Sequence, residues 1–205
     1  MDILEAVGNM PEGFEMLMPE LVPADLLLAT ISQFQLIGLL VLMASFVGAI
    51  SKERSNGTTT LLYVRPISFA SFFISKFIVI SAVGFVSIVA GFTASVYYTI
   101  VLYGTFEVDT LLASIGTYFI WVLFVLALTL MMSAAFKTTV AATGAFIIIF
   151  IGQIIDGLVG TFWTISPWKL PLYGVQIIRG TMEMPDYWWS LVMTVVLICV
   201  CMSIG

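Results

Sequence analysis

The sequence predicts an all-α membrane protein, a polytopic bundle of about five transmembrane helices, from its composition, its apolar run lengths and its charge placement. Hydrophobic residues fill 61% of the 205 positions and charged residues only 9%, against roughly 45–50% and about 25% in ordinary soluble domains. So few charges cannot cover a water-facing surface. The apolar stretches run for about 20 residues or more between short polar loops, long enough to cross a hydrocarbon layer roughly 30 Å thick. Length alone would allow one or two domains, but this pattern makes one bundle.

The predicted spans cover residues 26–50, 77–102, 111–136, 140–158 and 188 to the C-terminus. Each must be helical, because in lipid every backbone amide needs a partner within the protein and a helix supplies it within one segment. Barrel strands would be shorter and would alternate apolar with polar residues. Between the fourth and fifth spans, residues 161–187 combine Pro167, Pro171 and Pro185 with interfacial Trp and Tyr. They are expected to form a short element that lies in the interface or dips back between the helices.

Alternating crossings place Lys52, Arg54, Arg65, Lys76 and Lys137 on one side and only Lys169 and Arg179 on the other. The positive-inside bias assigns the first group to the cytoplasm, in a multi-pass membrane protein. Residues 1–25 then form an acidic extracytoplasmic segment, carrying Asp2, Glu5, Glu12, Glu15, Glu20 and Asp25 with no Lys or Arg, and residues 26–205 form the transmembrane domain. An acidic leader without basic residues disfavours a nucleic-acid partner. It also lacks the basic start and apolar core of a signal peptide. An acidic N-terminus outside, together with an apolar C-terminus without basic anchors, leads to the expectation that the chain is truncated at both ends.

Several chemistries are excluded. With no histidine, zinc sites of the H-E-x-x-H kind and Ser-His-Asp triads are ruled out. No G-x-x-x-x-G-K-[ST] loop is present to cradle nucleotide phosphates, and Asp156 is the one acid within a predicted span, where an intramembrane aspartyl protease needs two. The expectation is a protein that is not an enzyme and has no cofactor or metal. Cys199 and Cys201 read as small apolar packing residues.

The most informative stretch is SKERSNGTTTLLYVRPISFASFFISK, residues 51–76. Gly57 suits a helix stop after the first span, and Thr58 or Thr59 can cap a short helix carrying Leu61, Leu62, Tyr63 and Val64. Pro66 interrupts it, and Ser68 can cap the helix that becomes the second span. The outcome is a short amphipathic helix at the inner membrane face whose apolar residues can dock in a partner's groove. Read as an ordinary loop instead, the same stretch supplies snorkelling basic residues; Lys76 and Lys137 in particular suit interfacial anchors.

The order Glu53, Gly57, Thr58, Leu61, Leu62, Pro66, Ser68 and Lys76 between two spans resembles the signature of bacterial ATP-binding-cassette type-2 permeases. Members typically have six spans and an amphipathic N-terminal helix, so this chain reads as one without the first span. The resemblance implies that loop 51–76 is a coupling helix seated on a separate cytoplasmic ATPase, with Glu53, Gly57, Thr58, Tyr63, Arg65 and Pro66 at or near the contact. It also implies a homodimer or a pair with a second permease, exporting cargo by alternating access.

Inside the spans, Asp156 and nearby Gln153 either line a translocation path or sit hydrated at a helix end. Ser32, Gln33 and Gln35 in the first span divide between interhelical hydrogen bonds and the same path. The function expected is therefore the permease subunit of an ATP-driven exporter. The alternative is a non-transporting membrane scaffold or regulator that binds a cytoplasmic protein through loop 51–76. A channel or secondary carrier is disfavoured by the scarcity of intramembrane ionisable groups.

Overall fold

Five helices are long and apolar enough to cross a membrane: α1 (Ala29–Ser55), α2 (Phe69–Tyr103), α3 (Val108–Ala135), α4 (Thr138–Val159) and α6 (Met184–Ile204). A shorter helix, α5 (Leu170–Arg179), lies between the last two. The structure is a computed structural model that describes residues 29–57, 68–103, 108–160, 165–181 and 184–205. The acidic segment 1–25 lies outside the described residues. No strand occurs among those described.

The helices outrun the apolar stretches that define them. α2 begins at Phe69, with Ser68 as the expected cap, its hydroxyl accepting the Ser71 N–H at 3.2 Å, so the helix starts ahead of the apolar run from 77. Nothing in the next turns interrupts a helix, so it propagates through the polar boundary at Lys76. α1 similarly continues past the expected end at 50 through Ser51–Ser55. It stops where Gly57 takes φ +74°, a left-handed conformation that a side chain would disfavour, and donates its N–H to the Arg54 carbonyl. Midway, Phe34–Gly38 forms a π turn, closed by the Leu39 N–H on the Phe34 carbonyl.

α3 is the axis of the bundle. Of its most apolar stretch 61% is buried, against 17–28% in the other four spans. Trp121, Val122, Val125, Leu126, Ala127 and Leu130 are buried along it. A run of rings, Phe34–Phe92–Tyr118–Trp121, ties α1, α2 and α3 together with centroids 5.6–6.0 Å apart. Lipid gives apolar side chains no reason to leave it, so close packing by small residues matters here. A Cβ at Gly91 would collide with the Phe34 ring, and Gly84 lies against Leu126. The outer faces of α2, α4 and α6 remain apolar and exposed, as at Val79, Val86, Ile147, Ile151, Val192 and Val196, which is the surface lipid requires.

Of the segment 161–187, the described residues 165–181 pack back against the bundle. Ser166 accepts the Trp168 N–H and caps a single 3₁₀ turn, Pro167–Lys169, that leads into α5. α5 buries Leu170, Pro171, Tyr173 and Gly174, with Gly174 pressed on Ser114 of α3. Ten residues span about 15 Å, half a hydrocarbon layer. Gly180 at φ +67° ends the helix, with the Thr181 N–H donating to the Gln176 carbonyl.

Candidate functional site

Hairpin-like succession gives the bundle two ends. The basic end gathers the C-terminal part of α1, the start of α2 and the α3–α4 turn, with Lys52, Arg54, Lys76 and Lys137. The opposite end gathers the α4–α5 connection and the start of α6.

At the basic end the Ser133 hydroxyl, fully buried on α3, accepts the N–H groups of Ile50 and Ser51 at 3.2 and 3.1 Å. Those two amides lie where α1 leaves regular helix, so they need an outside acceptor. The Ser51 hydroxyl shares a 2.8 Å hydrogen bond with Thr138 at the start of α4. Arg54 donates to the Ala134 carbonyl at 2.8 Å, satisfying one of the last carbonyls of α3. Glu53, half-buried, pairs with Lys76 of α2 at 2.5 Å. Four helices are thus joined within one layer.

At the opposite end, Lys169 is buried and its ammonium donates to the Gly160 carbonyl at 2.6 Å, closing the C-terminus of α4 where its dipole favours a cation. Trp168 lies over Gly152 and donates its indole N–H to the Ile149 carbonyl at 3.1 Å. Ser166 receives support from α6, its N–H donating to the Ser190 hydroxyl. The Thr117 and Tyr187 hydroxyls share a hydrogen bond between α3 and α6.

Between α1 and α4 a cavity of about 410 Å³ opens near this end, lined by Ser32, Gln35, Gln153, Asp156, Trp168 and Arg179 among others. It shares Ser32, Gln35 and Gln153 with a second, apolar cavity of about 280 Å³ lined by Leu36, Leu39, Leu40, Met43, Phe146 and Phe150. A third space, of about 180 Å³, continues past Val47 and Ala142 toward the basic end. The three form one groove, polar at one mouth and apolar along its length. Asp156 stands at the polar mouth beside Lys169 and Ser166, with its Oδ1 buried and unpartnered. Gln35 sits in the π turn of α1, which marks where that helix departs from regular geometry beside the groove.

Of the residues singled out from the sequence, Gln35, Gln153 and Asp156 meet in this groove, whereas Gln33 is exposed and is not among its lining residues. Glu53 and Gly57 sit at the basic end. Thr58, Tyr63, Arg65 and Pro66 lie outside the described residues. Sequence reasoning missed Ser133, whose only signal was a hydroxyl in an otherwise apolar stretch. It also missed Lys169, read as a loop charge, and the Trp168–Gly152 contact.

A central helix with lipid-facing neighbours, a layer tying four helices at the loop-bearing end and a groove with a charged mouth define a polytopic membrane bundle. Residues 9–168 match the family described as ABC-2 family transporter protein. The chain is also 30% identical over 141 residues to the Uncharacterized transmembrane protein YxlG of Bacillus subtilis (strain 168), covering 69% of this chain. The match spans 55% of that protein's own length. No solved structure matches the chain. The chain belongs to the ABC-2 transporter family and is a multi-pass protein of the plasma membrane.

Proposed function

We propose that the chain is the permease subunit of an ATP-driven exporter, energised by a separate cytoplasmic ATPase that docks on loop 51–76. The basic-end layer carries this reading. Loop 51–76 leaves α1 directly after Arg54 and enters α2 shortly before Lys76, and both residues belong to that layer. A displacement imposed on the loop therefore reaches α1, α2, α3 and α4 together, through the Glu53–Lys76, Arg54–Ala134 and Ser51–Ser133–Thr138 contacts. A bundle tied in this way converts a local push into a concerted helix movement.

The groove between α1 and α4 would then be the cargo path, with Gln35, Gln153 and Asp156 along it, completed by a second permease copy. Tyr63 and Arg65 are the expected anchors on the ATPase, since aromatic and Arg anchors dominate interface energetics. The test is co-purification of the ATPase, with ATP turnover measured on the recovered complex. Tyr63→Ala with Arg65→Ala should lower recovery by about thirtyfold or more, the effect of roughly 2 kcal/mol. Asp109→Asn, a control at the opposite end, should leave it intact. Full recovery and full turnover with the double variant would remove the coupling role and favour the scaffold reading.

A further inference from the structure

The basic end carries a second cavity, separate from the groove. It holds about 390 Å³ and is lined by Ser51, Arg54, Ser55, Lys137, Thr138 and Thr139. No acid lines it. Glu53, the nearest carboxylate in sequence, faces Lys76 instead. Among the described residues neither Arg54 nor Lys137 has a carboxylate partner. Arg54 is nevertheless held in place, because one guanidinium nitrogen is fixed on the Ala134 carbonyl, leaving its other donors for a ligand. Two uncompensated cations and a set of hydroxyls therefore converge on one space at the end of the spans.

We infer that this cavity binds the phosphate of an anionic phospholipid headgroup. Phosphate chemistry fits the donors: a guanidinium fork, an ammonium and hydroxyls suit a tetrahedral anion. α4 begins at the cavity with Lys137 in extended conformation and no side chain capping its first turn, so the free amides add to the same positive field. Position selects lipid over a soluble anion. Phe136 and Val140, on either side of Lys137, are exposed apolar residues at the membrane boundary, where acyl chains can lie against them. A lipid seated there bridges the end of α1 to the start of α4, fastening the layer through which the loop acts.

The full chain is reconstituted in nanodiscs containing phosphatidylcholine and phosphatidylglycerol, and the lipids retained after release are counted by native mass spectrometry. Wild type should retain phosphatidylglycerol in preference to phosphatidylcholine. Arg54→Gln with Lys137→Gln should weaken retention by about thirtyfold, since each basic side chain near an anionic surface contributes roughly fivefold. Lys52→Gln, an exposed cation that does not line the cavity, should change it by about fivefold at most, the general attraction of one basic side chain, well short of the double variant. Arg54→Lys with Lys137→Arg, which keeps both charges, should preserve retention. Absence of a phosphatidylglycerol preference in wild type overturns the inference without any variant. Equal loss with Lys52→Gln, or unchanged retention in the double Gln variant, also overturns it. Soluble glycerol phosphate, added in excess, should not displace the lipid; binding of that anion with no lipid preference would reassign the cavity to free phosphate. Loss of ATPase recovery in the double Gln variant with unchanged lipid retention would reassign it to the partner protein.

Discussion

At the basic end the helices are joined through short polar side chains, Ser51, Ser133 and Thr138, around a place where α1 departs from regular helix. At the opposite end they are joined by large groups, Trp168 and Lys169, laid onto the backbone carbonyls of α4. Both arrangements satisfy backbone groups that lipid could not. They differ in what they leave open. The hydroxyl cluster couples three helices, α1, α3 and α4, without filling space, whereas Trp168 and Lys169 brace α5 against α4 beside a charged mouth. For the export function proposed above, one end would move as a unit and the other would present a shaped opening, and the two chemistries suit those roles.

The comparison breaks most sharply on sidedness. With Cys199 and Cys201 replaced, a single cysteine at exposed Asn56 should resist an impermeant maleimide in intact cells, while one at exposed Asp109 should react fully. Labelling at Asn56→Cys would invert the two ends.

The next effect is on stability at the basic end. Ser133→Ala removes the acceptor of two amides and should destabilise the protein by about 1–3 kcal/mol, read as a lower melting temperature in detergent. An unchanged melting temperature would mean that water replaces the hydroxyl there.

At the opposite end, Gly152→Ala drives a Cβ into the Trp168 ring, which is held between Phe124 and the Ile149 carbonyl and cannot simply swing aside. Overpacking of this kind costs about 1–3 kcal/mol, and displacement of α5 should appear as altered tryptophan fluorescence. The smallest effect belongs to Glu53→Gln. Its pair with Lys76 is about one-third exposed on each side, so the stability change should stay under about 1 kcal/mol and shrink further in salt.

The five spans were legible because run length and helix geometry leave lipid-crossing segments little freedom. The helix ends were legible in part: Ser68 as the cap of the second span's helix and Gly57 as the stop after the first could be read from residue type, whereas the apolar runs alone put those ends at 77 and 50. Asp156, Gln153 and Gln35 could be picked out because a polar group in an apolar run is conspicuous, and the groove brings them together. Gln33 looked equivalent to Gln35, but two positions along a helix turn a side chain by about 200°, and it is not among the groove's lining residues. Ser133 and Lys169 were illegible because their roles depend on partners 82 and 9 residues away. No local pattern records which carbonyl or amide a side chain will meet after packing.

The central claim is that the loop-bearing basic end, and not the charged mouth, receives the ATPase. It is tested most directly by photo-crosslinking from a single reactive residue at Gly57 or at Asp109, in cells that produce the whole assembly. The account predicts a nucleotide-hydrolysing partner captured from Gly57 and none from Asp109. Capture from Asp109 instead, or no ATPase among the proteins captured from Gly57, would contradict it.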